Sequence, residues 1–395
     1  MRVILLQQKS LDFDKNLKNI GVSDFALSKF NGKGQILLFG IYDISSAVAN
    51  ILKQEAISIG ADIALPENVY YLEQKKTDAY AVFTAGQLTE FERKLKPQPK
   101  GIYEIAQQMS AQYNKGADKS HIVLKNGAKH IFSQPSIMGI VNATPDSFSD
   151  GGLYEDNSAA VNHGIQLIEE GADIIDIGGE STRPGAEPVS AEEELKRVIP
   201  VVSQLRKKNG KVLISIDTYK AAIAEKAVNA GADIINDISA LRFDENMVKI
   251  VKKYNVPVVL MHMKGRPRSM QKNPHYDNVI KELIEFFDER IEFCLKNGIS
   301  EDKIIIDPGI GFGKRFEDNI EILKNLSAFK IFGVPLLIGA SRKSFLGEIL
   351  GGASPAERIF GTAAVSALAL QQGADIFRVH DVKANADVLK TVRAI

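Results

Sequence analysis

The stretch GADIIDIG (171–178) sets a glycine and Ala-Asp directly before a short apolar run. A glycine closing a helical pattern suits a left-handed C-cap, after which a strand can begin at once. The same Gly-Ala-Asp stands at Gly231 and Gly373, leading into DIINDI (233–238) and ADIFRV (374–379). Working outward from these, five more apolar runs appear: SIMGIV (136–141), VLISID (212–217), VPVVLM (256–261), KIIIDP (303–308) and VPLLIG (334–339). Most lack strict polar–apolar alternation, as expected of parallel strands covered on both faces. Their starts lie about 34 residues apart, the length of a βα unit. Amphipathic segments fill the gaps. Ser158–Glu170 places Val161, Ile165 and Ile168 on one face, and Ala191–Lys208 does the same with Leu195, Val198, Val202 and Leu205. Eight such units over residues 135–395 predict an α/β fold, a closed (β/α)8 TIM barrel. An open doubly wound sheet is the alternative, but no GxGxxG follows the first run.

Residues 1–100 predict a small α+β domain. RVILLQ (2–7), GQILLFGI (34–41) and DAYAVFTA (78–85) read as strands, Ser45–Gly60 and Leu88–Leu95 as helices. The stretch KLKPQPK (94–100) marks its end, and residues 101–134 read as a connecting segment, a helix plus a short strand or linker, of which residues 120–134 could plug the barrel's bottom. A barrel needs no outside strand to close, so a chain starting near Ile131 is expected to fold and keep activity.

Composition narrows the function classes. The chain has 395 residues, 45% hydrophobic and 25% charged, ordinary for a globular protein and too apolar for a disordered one. Lys+Arg and Asp+Glu both number 49, which argues against a general nucleic-acid binder and leaves room for a local anion site. The single Cys294 excludes an internal disulfide framework and a multi-thiolate metal site. No apolar run approaches the roughly 18–20 residues of a membrane span, and the N-terminus has too short an apolar stretch for a secretory leader. The expectation is a reduced, cytoplasmic protein.

In such a barrel the chemistry sits where the strands end. Those ends carry Asn142, Glu180 to Thr182, Asp217, Asn236, His262, Asp307, Ser341 to Lys343, Arg378 and His380. Any one of these can serve as a helix cap or turn residue. Together they form a candidate site. Asp217, Asn236 and Asp307 suit a guanine-like heterocycle, whose amino group and ring N–H want carboxylates, with Lys343 at its carbonyl oxygen. Asn142, Arg378 and His380 suit an anion. Asp150, Asp176 and Glu180 lie where a cation or substrate can use them. No cluster has zinc spacing, but Mg²⁺ held partly by substrate oxygens needs only one or two protein ligands. The loops NATPDSFSDGGLY (142–154) and GGESTRPGAEPVS (178–190) carry Phe148, Arg183 and Pro184 in the composition of mobile loops over a site. In DPGIGFGK (307–314), Phe312 is either a wall for a planar substrate or packing.

IMGIVNATPDSFSDGG (137–152), ADIIDIGGESTRPGA (172–186), SIDTYK (215–220), INDISA (235–240), VLMHMKG (259–265), DPGIGFGK (307–314), GASRKSF (339–345) and RVHDV (378–382) closely resemble, in order and spacing, the dihydropteroate synthases. The resemblance covers about residues 135–395. It implies a transferase of folate biosynthesis that joins 6-hydroxymethyl-7,8-dihydropterin pyrophosphate to 4-aminobenzoate, giving 7,8-dihydropteroate and pyrophosphate. It further implies Mg²⁺, a homodimer made through barrel helices, and sulfonamides as mimics of 4-aminobenzoate. By the same match, Asp217, Asn236, Asp307 and Lys343 hold the pterin, with Met261 beneath its ring. Asn142, Arg378 and His380 hold the pyrophosphate, and Asn142 and Asp150 the Mg²⁺. Phe148, Thr182, Arg183, Pro184, Phe312 and Ser341 lie on the 4-aminobenzoate side. Asp217, Asn142, Lys343, Arg378 and His380 are the residues expected to carry the catalysis. A methyltetrahydrofolate–corrinoid methyltransferase shares the barrel and the Asp/Asn pocket, but has no use for Lys343, the Arg378–His380 anion site or the TRPG loop. A folate-binding module would not need that anion site either. Residues 1–134 resemble, more weakly, the N-terminal extension of some bacterial synthases. They are shorter than a fused pterin pyrophosphokinase and lack its acidic metal motif, so a dimer or partner surface, a regulatory ligand domain and a stabilising appendage all stay open.

Overall fold

The alternation of KTDAYAVFT sets the first sheet. In β3 (Lys76–Thr84), Thr77, Ala79, Ala81 and Phe83 point inward and the residues between them outward. β3 pairs antiparallel with β1 (Ile36–Ser45) on one side and β2 (Asp62–Ala64) on the other. The computed structural model describes residues 36–71, 74–115, 120–143, 153–180 and 189–395, together with Ser23. The chain divides into two compact units, residues 1–117 and 118–395. The expected strand RVILLQ lies outside the described residues.

In the first unit, helices α1 (Ser46–Ile57), α2 (Glu67–Tyr70), α3 (Ala85–Leu95) and α4 (Lys100–Lys115) accompany the sheet. Ser45 caps α1 by accepting from the Val48 N–H, and Thr84 with Gln87 forms a reciprocal capping box on α3. Leu52, Ile63, Phe83, Phe91 and Leu95 make its core. Ile102, Ala106 and Met109 of α4 belong to that core, so the first half of the expected connecting segment is part of the small unit. The three-residue β2 is too short to leave a periodic signal in the sequence.

The second unit begins with a hairpin, β4 (His121–Val123) and β5 (Lys129–Ile131). Eight parallel strands follow: β6 (Ser136–Asn142), β7 (Ile174–Gly178), β8 (Leu213–Asp217), β9 (Ile234–Asp237), β10 (Val258–Met261), β11 (Ile304–Asp307), β12 (Leu337–Ile338) and β13 (Ile376–Val379). Their order is β11-β10-β9-β8-β7-β6-β13-β12. The two ends meet at one parallel bridge, Ile306 with Leu336, where the Ile306 N–H donates to Pro335 O at 3.0 Å. The result is the expected TIM-like barrel, nearly closed, with helices after its strands. None of the described helices is long and apolar enough to cross a membrane. Cys294 is buried, and burial pushes its thiol up to about 12, so it behaves as a small apolar residue.

Each strand gives one side chain to the barrel floor: Met138, Ile174, Leu213, Ile234, Val259, Ile305, Leu337 and Ile376. Ile122 and Phe132 of the hairpin segment pack into the same cluster. Lys303 Nζ donates to Val123 O at 2.5 Å and Leu124 O at 3.2 Å, Lys125 Nζ to Ala232 O at 3.0 Å, and Lys330 Nζ to Ser120 Oγ at 3.0 Å. The hairpin is therefore a plug, and a start near Ile131 removes it. A chain beginning at Ser120 is expected to fold. One beginning at Ser133 loses the burial of Ile122 and Phe132, roughly 1.5–3 kcal/mol each. Comparison of their thermal unfolding and solubility checks this, and equal melting temperatures would contradict the plug.

Candidate active site

Strand alternation carries the site. Two residues beyond each floor side chain, on the same inward face, stand Ile140, Asp176, Ser215, Asn236, Met261, Asp307, Gly339 and Arg378. Apolar floor thus gives way to a polar layer within one step. Two residues further, Asn142, Asp217 and His380 reach the rim.

Arg378 spans this layer. Its Nε donates to Asp176 Oδ2 at 2.6 Å and its Nη2 to Asp217 Oδ2 at 2.7 Å. Asn236 Nδ2 donates to the same Asp176 oxygen at 3.0 Å. Asp176 Oδ1 is buried and meets no donor among the described residues. One guanidinium between two carboxylates leaves an unbalanced negative charge. Burial pushes Asp217 up to about 7; Arg378 opposes this and Asp176 reinforces it. Gly339 lies between Arg378 and Asp307, since an added Cβ would sit 3.9 Å from a side-chain atom of each.

Asp307 accepts from the Gly309 N–H at 2.7 Å. Burial pushes its carboxyl up to about 6, against the Gly309 bond and the Lys343 charge. Lys343 Nζ lies 4.0 Å from the centre of the Phe312 ring. Phe312 packs with Ile238, Met261, Met263 and Met270, and the Tyr219 and Phe243 rings lie against this cluster. Phe312 is thus packed in an apolar cluster with Lys343 over its ring. Ser341 Oγ lies 2.9 Å from His380 Nδ1 and accepts from the His380 N–H at 3.1 Å. Asn142 is half-buried and paired with Gly178, whose other neighbour in register is Asp217.

Two local devices aim these groups. Arg342, between Ser341 and Lys343, holds a left-handed φ of 57°. Its side chain pairs with Asp381, its N–H donates to Thr362 Oγ1 at 3.1 Å, and its carbonyl accepts from Arg358 Nη1 at 2.9 Å. Surrounding bonds thus hold a conformation that a non-glycine residue resists. In the 309–314 turn, Gly309 has φ 67° and a Cβ there would lie 2.0 Å from His262 O. Buried Lys314 binds the turn, donating to Gly309 O at 2.9 Å and Phe312 O at 3.1 Å and lying 2.9 Å from His262 Nδ1. Burial lowers the Lys314 ammonium to about 7 and holds His262 well below its ordinary value.

The structure thus brings Asp217, Asn236 and Arg378 into one hydrogen-bonded group through Asp176, sets Asp307 and Met261 in the same layer, and adds Lys343, Phe312, Ser341 and His380 above it. Arg378, expected against an anion, here lies across two carboxylates. Phe148, Asp150, Thr182, Arg183 and Pro184 lie outside the described residues. Asp176 was recognised only as a possible cation or substrate partner, and its place beside Arg378 was missed. Its signal was an acid inside an otherwise apolar strand run. Lys314 was missed because nothing in a Gly-rich turn announces that its lysine is buried.

A buried cluster of carboxylates, an amide and basic side chains inside the C-terminal end of a parallel barrel defines an enzyme that binds a small polar molecule. Known proteins agree. The profile of the family described as "Pterin binding enzyme" matches residues 138–380. Dihydropteroate synthase of Synechocystis sp. is 46% identical over 259 residues, 66% of this chain and 89% of the relative. The Xanthomonas albilineans dihydropteroate synthase solved with 4-aminobenzoic acid is 46% identical, with a TM-score of 0.66, covering 70% of this chain and 98% of that one. The same organism's synthase in complex with 7,8-dihydropteroate is 44% identical, with a TM-score of 0.63, over 69% and 98%. The chain belongs to the pterin-binding enzymes and, within them, to the dihydropteroate synthases, which are transferases.

Gly309→Ala is expected to destabilise the fold by more than about 1 kcal/mol, because a Cβ meets both a left-handed backbone and the His262 carbonyl. Thermal unfolding checks this; an unchanged melting temperature would mean that the turn is free to move.

Proposed function

We propose that the barrel joins 6-hydroxymethyl-7,8-dihydropterin pyrophosphate to 4-aminobenzoate, releasing pyrophosphate, with the pterin seated among Asp217, Asn236, Asp307 and Lys343. The observation that carries this reading is the layer of buried acceptors around Arg378, including an Asp176 oxygen without a donor among the described residues. A pterin edge is rich in N–H donors, and buried acceptors of this kind favour a ligand that satisfies them. Lys343 is the donor for the ring carbonyl, and Met261 and Phe312 offer apolar surface to its faces.

The ring nitrogens of the dihydropterin delocalise the cation left when its CH₂–O bond ionises. The Asp217 carboxylate favours that cation, and Asn142, Arg378 and His380 stabilise charge growing on the departing pyrophosphate. The aniline nitrogen then attacks, its ring positioned by Phe148, Thr182, Arg183, Pro184, Phe312 and Ser341. The amide oxygen of Asn142 and the carboxylate of Asp150 are hard donors, the kind Mg²⁺ takes when substrate oxygens complete its shell. Bound there, the ion would neutralise part of the charge on the leaving group. The one buried thiol suits a cytoplasmic enzyme.

We also propose a homodimer through barrel helices. Helix Ile359–Gln371 leaves Phe360 87% and Leu368 60% exposed, and Leu350, 44% exposed, packs beside Gly361. Apolar side chains so grouped on a barrel helix mark a protein contact. Phe360→Glu with Leu368→Glu is expected to halve the mass seen by light scattering while leaving the melting transition cooperative. An unchanged mass would move the interface elsewhere.

The function is tested by pyrophosphate release from the two substrates, with and without Mg²⁺. Calorimetry supplies the pocket test. Lys343→Ala and Asp307→Asn should each weaken pterin pyrophosphate binding by about 1–3 kcal/mol or more, since each strands a buried partner. Asp307 is raised to about 6, so below that pH it carries a proton that a pterin donor must displace. With Asp217 raised to about 7 as well, affinity should rise by up to about a hundredfold per pH unit below pH 6, by up to about tenfold per unit between 6 and 7, and level off above 7. Asp307→Asn should flatten the lower limb. Unaltered affinity in both variants would sink the pocket assignment.

A further inference from the structure

The backbone ladder between β12 and β13 ends at Ile338 and Phe377, three residues before Ser341 and His380. Beyond that point side chains hold the two strand ends together. Ser341 Oγ accepts from the His380 N–H at 3.1 Å and lies 2.9 Å from His380 Nδ1. One residue further, Arg342 Nε donates to Asp381 Oδ2 at 3.0 Å and Arg342 Nη2 donates to Asp381 Oδ1. Two parallel bonds give this pair a fixed geometry. Each partner is also anchored from behind. The Arg342 N–H donates to Thr362 Oγ1 at 3.1 Å, and its carbonyl accepts from Arg358 Nη1 at 2.9 Å. The Asp381 carbonyl accepts from Asn385 Nδ2 at 2.8 Å, and Asn385 Oδ1 accepts from Ser366 Oγ at 2.8 Å. Thr362, Ser366 and Asn385 are buried, so the anchors belong to the packed helices behind the rim.

Ser341 is itself buried, and among the described residues its hydroxyl proton has one acceptor, His380 Nδ1. A buried hydroxyl that donates to nothing is costly. Its oxygen already takes the His380 N–H, so the hydroxyl donates to Nδ1, and the neutral ring then carries its proton on Nε2. We propose that Ser341, backed by the Arg342–Asp381 pair, fixes His380 as an Nε2–H donor toward the departing pyrophosphate. Ser341 is thereby a positioning residue for the leaving group. The proposal rests on the function above, in which His380 serves the pyrophosphate. A ring left to take either tautomer would turn a lone pair toward that anion part of the time, where a donor is needed. The pterin ring is held independently. Asp217, Asn236 and Asp307 make their bonds to Arg378, Asp176 and the Gly309 N–H.

The test uses the full chain with Ser341→Ala, Asp381→Asn and Arg342→Lys. Nitrogen-15 NMR of the histidine rings, at a pH where they are neutral, reads the tautomer directly; His380 is assigned by the signals lost in His380→Gln. The parent should show the Nε2–H form, and Ser341→Ala a mixture of the two. Calorimetry with inorganic pyrophosphate, and separately with 6-hydroxymethylpterin lacking it, divides the substrate into its halves. Ser341→Ala should weaken pyrophosphate binding and lower kcat, each by about tenfold, the worth of one hydrogen bond to a charged group, with pterin affinity held within about twofold. Asp381→Asn should give the same pattern at about threefold, and Arg342→Lys, which keeps the charge and one bond, should stay nearer the parent. A parent ring in the Nδ1–H form overturns the proposal. So does a folded Ser341→Ala enzyme that keeps the parent's tautomer or its pyrophosphate affinity, including one in which only KM for 4-aminobenzoate rises. If Ser341→Ala does not fold, Asp381→Asn decides by the same two readouts, and no change in either overturns it. Absence of turnover in the parent protein would reject the proposed function, while the tautomer and pyrophosphate binding would still decide whether His380 is fixed in this way.

Discussion

The bonds from Arg378 to Asp176 and Asp217 are what the rest of the pocket is arranged around. They join β13 to β7 and β8 through the inside of the barrel, linking residues 202 and 161 positions apart in the chain. Burying three charges is expensive, and a well-packed apolar layer would stabilise the barrel as well or better. The cluster instead supplies fixed charge whose position depends on barrel closure. The arginine comes two residues after Ile376, and Asp176 two residues after Ile174, so the floor that packs the barrel also sets the height at which the charges meet. The apolar plug from the hairpin lies at the floor end of the same strands. Folding energy and chemistry are thus separated by one step of a strand.

This layering explains what could be read in advance. All eight barrel strands were visible as apolar runs because parallel strands are covered on both faces, and the Gly-Ala-Asp stops fixed where three of them began. Site residues were visible because polar side chains at strand ends have no packing reason to be there. Asp176 was harder to interpret, since an acid within an apolar run does not announce its partner: Arg378 is remote in sequence and only closure brings it near. The small unit was read less fully. Its two longer strands and two of its helices alternate or repeat with clear periods, whereas β2 has three residues and α4 follows a Pro-containing stretch that looked like a boundary. Hairpin β4–β5 was read only as a short strand or linker that could plug the barrel, because its strands are short and what identifies it is the barrel floor it covers.

The electrostatics of the pocket follow from charge counting. Asp176, Asp217 and Asp307 outnumber Arg378 inside the barrel, and Lys343 reaches them only from the rim, beside Phe312. Burial holds Asp217 and Asp307 above the usual carboxylate range, and for Asp217 the neighbouring Asp176 adds to it. An excess of buried acceptors is unfavourable alone and favourable beside a donor-rich, electron-deficient ring. Buried acceptors short of donors suit a donor-rich ligand, and more so one that becomes cationic in the transition state.

The two lysines that the sequence did not single out complete this arrangement from opposite sides. Lys314 has gathered the carbonyls of Gly309 and Phe312, so the turn that carries the Phe312 ring is fixed by a buried amine. Lys220 ties Glu180 to Val189, so the ends of the neighbouring segment are fixed by a half-buried one. In both cases a flexible side chain spends its donors on backbone or carboxylate acceptors from several positions at once. Rigid strands can place Asp217, Asn236 and Asp307 without such help. Residues carried on loops cannot be placed that way, and a buried or half-buried ammonium with three acceptors is an economical means of giving a loop the definition of a strand.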